Sequence, residues 1–438
     1  MKTRGNRLLA LTLALLLAFA LMVPAMAEDK PLAGKTITFT MQKYGSDPTA
    51  QETALNEMVA DFKDKTGITV NFSLIDWGQA LTKLTLACTG GEAPDVCDAF
   101  FTSSMVQMGQ GQFGPAEITD LYQELGGDDA YFPAAVEEVR VNGGIYGIPW
   151  RMDTRVIAYN MDHFKEAGIE KLPATYAELI EVGKKLTKYD EAGNIVRSGF
   201  VWSVGDSRFD QTWFSLLAGH GGRIMDTEYK KMAFNSPEGL ASLKLMYDAI
   251  NTDKICTPSV IDPSFKAANE YMAEKASMVI GVNADFMTSV KSDAPQLADK
   301  TGSTVMCSTT GEGVSSIAFS APICLMKTSK EPEAAREWIK YFCSTAGQIK
   351  ICSAVNLINS RKEVMADAFY GSDWMKTFPL QAERAVQGDP PIPVWSQIDA
   401  FPSGPLNTMC TNVIAGKDIQ ASMDECQTAC DKILAQGF

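Results

Sequence analysis

Histidine is the scarcest functional side chain in this sequence, with only His163 and His220 among 438 residues. Neither neighbours a cluster of cysteines, so the ligand spacings of a zinc site are missing. Basic residues are also in deficit, with 39 Lys and Arg against 53 Asp and Glu and a net charge of −14. Nucleic acid is thereby excluded as a partner, because its phosphates need a basic face. No Gly-x-Ser-x-Gly elbow, His-Glu-x-x-His pair or phosphate loop occurs. Beyond residue 23 no apolar run is long enough to cross a bilayer. Internal repeats and low-complexity linkers are absent too.

Cysteine, by contrast, occurs ten times. The ten show no framework spacing, and several sit in apolar runs such as Leu86-Ala87-Cys88 and Ile323-Cys324-Leu325. There a free thiol behaves as a small hydrophobe. Cys426 and Cys430 stand one helical turn apart, but with no histidine near them they make a poor metal pair.

The N-terminus is distinctive. Lys2, Arg4 and Arg7 precede an apolar stretch from Leu8 to Val23, and Ala25-Met26-Ala27 follows Pro24. A basic start, an apolar core and a small-x-small end predict a secretory signal over residues 1–27, cleaved after Ala27. With no Cys at that point, a lipid-anchored terminus is not expected. The expected product is soluble and exported to the periplasm or beyond. Its length exceeds what one core usually supports, which predicts two domains.

Hydrophobic periodicity fixes the class. Lys35 to Met41 reads as a strand. Leu55, Met58, Val59 and Phe62 then share one helical face, and Gly67 follows the last turn. Ile68, Val70, Phe72 and Leu74 alternate with polar residues, the period of a strand. Strand, helix and strand in so short a span form a βαβ unit and imply a parallel sheet. Farther on, Val156 to Tyr159 and Met278 to Val282 are strand-like. Thr175 with Glu178 predicts a capping box. Ser236-Pro237 predicts a capped helix burying Leu240, Leu243, Tyr247 and Ile250. Pro332 opens a helix with Ala335, Trp338, Ile339 and Phe342 on one face. The fold class is α/β.

Four segments carry a resemblance. They are Gly91-Glu92-Ala93-Pro94-Asp95-Val96, the run from Gly144 through Trp150 to Asn160 and on to Ile169, Phe234 to Gly239, and Lys330 to Phe342. In this order the chain resembles the extracellular solute-binding proteins of ABC importers, the maltose-binding-protein-like family. The resemblance implies a two-lobed periplasmic-binding-protein fold with a hinge and an interlobe ligand cleft. It places lobe 1 at residues 28–150 and 316–367, and lobe 2 at 151–315 and 368–438. It further implies a single-copy protein, without cofactor or metal, that hands a small solute such as a sugar or oligosaccharide to permease subunits. Two departures stand out. An aromatic common after the strand at Met278–Val282 is missing before Phe286, and a usual glycine pair is replaced by Ser315-Ser316.

A sugar presents hydroxyls to carboxylates and amides, and an apolar C–H face to aromatic rings. Asp153, after Arg151 at the expected hinge, aligns with an acidic sugar ligand in the relatives. Gln42 and Tyr44 follow the first strand, Trp77 follows the second, and Phe100 and Phe101 follow Asp95. From the second lobe come Asp210, Trp213, Asn283 and Asp285, with Trp395 in an extended proline-rich segment. A polyamine or other cation is the alternative ligand, through an acidic box of Asp153, Asp210 and Asp285. A secreted glycoside hydrolase would need a paired acid and base, and the acidic pairs Asp128-Asp129 and Glu137-Glu138 read as solvated surface.

Overall fold

The computed structural model describes residues 30–45, 48–98, 106, 113–203, 209–262 and 264–436, with the side chains of residues 77, 81 and 209 left aside. The chain opens with β1 (Thr36–Gln42), α1 (Pro48–Thr66), β2 (Thr69–Ile75), α2 (Trp77–Gly90) and β3 (Val96–Asp98). β1 pairs in parallel with both β2 and β3, as the βαβ pattern requires. Ile37, Phe39 and Met41 of β1 are fully buried, and α1 lays Leu55, Met58 and Phe62 over them. Then come α3 (Pro133–Val139), β4 (Ile148–Thr154), β5 (Val156–Asn160) and α4 (Tyr176–Leu186). The Thr175–Glu178 capping box at the start of α4 forms as expected.

β6 (Val201–Trp202), α5 (Phe209–Gly219), α6 (Pro237–Asn251), β7 (Met278–Val282), α7 (Phe286–Asp293) and β8 (Thr301–Val305) complete a second region. β9 (Ser316–Leu325), α8 (Pro332–Phe342), α9 (Thr345–Val355) and β10 (Ile358–Asn359) return to the first. β11 (Ala385–Gln387), α10 (Pro405–Ile414) and α11 (Ile419–Leu434) end the chain. Seven strands form one sheet in the order β10-β4-β9-β3-β1-β2, with β11 added on β9. Four form a second, in the order β6-β7-β5-β8, and among the described residues two two-stranded sheets stand apart from both. Each of the two larger sheets has its own apolar core, so the molecule has two lobes.

The chain crosses between sheets where β4 becomes β5 and again between β8 and β9. Ser316 joins the two crossings: its hydroxyl donates to the Arg155 carbonyl at 3.0 Å and accepts from the Arg155 N–H at 3.3 Å. Thr154 Oγ1 donates to the Ile317 carbonyl beside it, at 2.7 Å. The serine pair therefore does more than replace flexible glycines.

Some expectations shift. β4 stays in the first sheet as far as Thr154, beyond the boundary placed at residue 150. β11 pairs with β9, although residues 368–438 were assigned to the second lobe. Met152, Ile317 and Phe319 lie on first-sheet strands yet pack into the second core, which blurs a sharp division. Leu240 is 37% exposed. α6 turns Gly239, Leu243, Met246 and Ile250 inward instead, a row at helical spacing that leaves Leu240 on the flank. Trp395 begins a short helix, Trp395–Ile398, rather than continuing an extended run.

All ten cysteines are buried thiols. Cys426 and Cys430 do face each other, with sulfurs 3.9 Å apart on the inner side of α11. Among the described residues no helix is long and apolar enough to cross a membrane.

Candidate functional site

A cavity of about 370 Å³ opens where both sheets present the ends of their strands. The first lobe contributes Lys43, Tyr44 and Gly45 after β1, Arg151 to Asp153 on β4, and Leu357 and Ile358 at β10. The second contributes Gln211 on α5 and Asn283 to Asp285 after β7. Arg155, at the crossing, and Phe319 of β9 floor it. Strand ends facing one another across a crevice are where open α/β sheets bind ligands.

The first-lobe wall rests on a buried network. Asp98, at the end of β3, accepts hydrogen bonds from the Tyr44 hydroxyl and from Trp150 Nε1, the latter at 3.3 Å. Gln51 fixes the backbone on which Tyr44 stands, accepting from the Tyr44 N–H and donating to the Gln42 carbonyl, each at 2.8 Å. The Arg151 guanidinium lies 4.7 Å above the Tyr44 ring, and Trp150 meets that ring edge-on. Burial pushes both Tyr44 and Asp98 up from their ordinary pKa values, while Arg151 pulls each back. This wall is rigid before any ligand arrives.

Asp153 combines the two roles open to it. It lines the cavity and holds Arg155 through a 2.9 Å ion pair, while Arg155 Nη2 donates to Gln211 Oε1 across the lobes at 2.5 Å. Asp285 stands opposite. Burial first, and the negative charge of Asp153 second, raise its carboxyl to about 6, with Arg151 opposing.

Of the sequence candidates, Tyr44, Arg151, Asp153, Asn283 and Asp285 meet in the cavity. Gln42 does not line it. This residue is 1% exposed, beneath the wall, and its amide has no hydrogen-bond partner among the described residues. Asp210 is a correction, because its carboxylate turns away to accept from Asn407 Nδ2 at 2.7 Å. One residue of helix is about 100° of rotation, and it is Gln211 that reaches the cleft. The acidic box of Asp153, Asp210 and Asp285 is accordingly incomplete.

Trp213 and Trp395 are corrections of another kind. Trp213 is fully buried and donates to Ser242 Oγ at 2.9 Å. Trp395 packs against Phe214 and donates to Asp389 Oδ1 at 2.9 Å. Both pin the second core rather than offer a platform. The side chain of Trp77, and all of Phe100 and Phe101, lie outside the described residues.

Sequence reasoning missed Lys43, Arg155, Gln211, Phe319, Leu357 and Ile358. Lys43 and Arg155 adjoin residues already singled out, and Gln211 adjoins Asp210. Leu357 and Ile358 belong to a late return to the first sheet and carry no local signal.

Residues 45–349 match the model of the bacterial extracellular solute-binding protein family. The diacetylchitobiose binding protein DasA of Streptomyces coelicolor is 24% identical over 409 residues, covering 92% of this chain and 91% of the relative. Among solved structures, the sugar-binding protein MalE of Xanthomonas citri superposes with a TM-score of 0.79 at 19% identity, covering 92% of this chain and 98% of that one. The cyclic alpha-maltosyl-1,6-maltose binding protein of Arthrobacter globiformis gives 0.75 at 18% identity, covering 92% and 99%.

Proposed function

The chain belongs to the family of bacterial extracellular solute-binding proteins, and on that footing we propose that it captures a carbohydrate between its lobes and delivers it to an ABC importer. The observation that carries this reading is the cavity walled by both sheets, with Tyr44, Arg151 and Asp153 facing Gln211, Asn283 and Asp285. These groups offer the acceptors and donors that sugar hydroxyls need. Hydrogen bonds to charged groups contribute about 1.5–3 kcal/mol each. Three of them approach the roughly 8 kcal/mol of a micromolar complex.

A ligand held by both walls binds the closed arrangement better than the open one, and that difference shifts the population. Moving the balance from mostly open to mostly closed takes about 5.5 kcal/mol. Importer subunits would recognise the closed form. Relatives named for diacetylchitobiose and for sugars support a carbohydrate ligand. The binding role, with no bond broken, follows the same relatives. Export with removal of residues 1–27 fits the family and the N-terminal pattern.

The test is a thermal-shift screen of the exported protein against sugars, polyamines and amino acids. A sugar should raise the melting temperature, since a ligand specific to the folded state stabilises it. Small-angle scattering should then show a smaller radius of gyration with that sugar. A panel in which only non-carbohydrates bind would overturn the ligand class, and an unchanged radius would overturn closure.

A further inference from the structure

Charge in the cleft is distributed unevenly. Its three cations are already engaged: Lys43 pairs with Asp76 at 2.8 Å, Arg155 with Asp153 at 2.9 Å, and Arg151 is enclosed by Tyr44, Asp98 and Asp153. Among the lining carboxylates, Asp153 has its arginine. Asp285 has no ion pair and no side-chain hydrogen bond among the described residues.

Asp285 precedes α7 with helical backbone angles (φ −68°, ψ −17°), not the extended ones from which an aspartate caps the first free N–H groups of a helix. Here the side chain makes no such bond. The backbone around it is nevertheless fixed: its carbonyl accepts from the Thr288 N–H at 2.9 Å, and the neighbouring Ala284 carbonyl accepts from Trp374 Nε1 at 3.1 Å. The carboxyl lines the cavity on a rigid turn, where burial raises it to about 6. It is ionised near pH 7, and the one positive charge acting on it is that of Arg151, which is shared with Tyr44, Asp98 and Asp153. Hydroxyls would hydrogen-bond that carboxylate when the lobes shut but bring no positive charge, whereas a cation on the ligand would do both.

We propose that Asp285 is the specificity-determining residue of the cleft and selects a carbohydrate carrying a protonated amine. The ammonium group pairs with the Asp285 carboxylate, and the remaining hydroxyls bind to Asp153, Asn283 and Gln211. This assignment rests on the carbohydrate reading above and narrows it. It also gives a partner to the one lining carboxylate without an ion pair, and needs no box of the kind that a linear polyamine would have used.

The experiment is calorimetry near pH 7 on the exported protein, using matched sugar triplets from the gluco, galacto and manno series. Each triplet contains the free amine, its N-acetyl form and the parent hydroxyl sugar. In the series that binds, the amine should be favoured over the hydroxyl by at least about tenfold, equivalent to about 1.4 kcal/mol. Asp285→Asn should bring that ratio close to one, and Asp285→Glu should keep part of it. Asp153→Asn should weaken all three sugars alike and leave a ratio above one, because Asp153 meets hydroxyls that the three share. Thermal unfolding of each variant checks that it is folded. A hydroxyl sugar that binds as tightly as its amine, or a preference that survives Asp285→Asn, overturns the assignment while leaving the carbohydrate reading intact. Failure of every triplet member, with a linear diamine binding instead, overturns both.

Discussion

The two walls of the cleft are built on opposite plans. On the first lobe a buried carboxylate, Asp98, is surrounded by Tyr44, Trp150 and Arg151, and each of those side chains is held by its neighbours. On the second lobe Asp285 is partly buried, and its carboxylate has no side-chain partner among the described residues. One wall therefore commits its buried carboxylate to its own rigidity, and the other leaves Asp285 to the ligand while Gln211 beside it holds Arg155. Preorganisation on one side lowers the entropy lost on binding. Unmet charge on the other makes closure depend on what the ligand carries.

The strongest way to break the contrast is to dismantle the satisfied wall. Asp98→Ala removes the acceptor shared by Tyr44 and Trp150 and leaves Arg151 buried without it. Urea unfolding should show a loss of about 3–5 kcal/mol, the usual cost of stranding one member of a buried charged pair.

Asp153→Ala comes next and should act on binding. Losing a charged hydrogen bond in the closed cleft should cost about 1.5–3 kcal/mol, or roughly 10- to 150-fold in affinity by calorimetry. Unchanged affinity would return Asp153 to the sole task of holding Arg155.

A third change sharpens the comparison through pH. The folded-state pKa of Asp285, about 6, lies above its ordinary 3.8, so the fold favours the neutral acid. Below about pH 4 both folded and unfolded forms are protonated and nothing is lost. As pH rises from there through 6, the unfolded chain releases its proton first, and stability falls. Asp285→Asn should accordingly stabilise the unliganded protein near pH 7, by about 1–2 kcal/mol, and have no such effect near pH 4. Melting temperatures of both proteins across that range would test the sign. A variant less stable at pH 7 would mean that Asp285 is satisfied after all.

The smallest expected effect belongs to Ser316→Ala at the crossings. Without the hydroxyl, the Arg155 N–H and carbonyl lose a shared partner, at a cost of about 1 kcal/mol. Scattering of the unliganded variant should show a broader spread of lobe orientations, and an unaltered profile would remove Ser316 from the hinge.

How much of this was legible in the sequence depends on which physical signal a residue obeys. β1, α1 and β2 were readable because burial on one face imposes a period on Ile37, Phe39, Met41 and on Leu55, Met58, Phe62. The caps at Thr175 and Ser236 were readable because a local hydrogen bond needs a particular residue at a particular offset. Asp210 was misplaced because it lies inside α5, which begins at Phe209, and on a helix one residue moves a side chain from cleft to core. Trp213 and Trp395 failed for a different reason. A tryptophan that stacks on a sugar and one that fills a core have the same composition and similar flanks, and only the path of α6 and of residues 389–395 decides between them. Leu357 and Ile358 were invisible, since nothing local says that a chain will come back to the site.

The burial of all ten cysteines has a practical corollary. An accessible thiolate attacks the reagents that modify thiols, and this protein offers no such sulfur on its surface. Burial pushes Cys256 and Cys307 up to about 12, which withdraws the reactive form as well. A cysteine introduced at exposed Asp64 on the first lobe and another at exposed Glu191 on the second would thus accept spectroscopic labels against a silent background. The native thiols would become reactive only when the structure opens, so the rate at which they are modified serves as a clock for local unfolding.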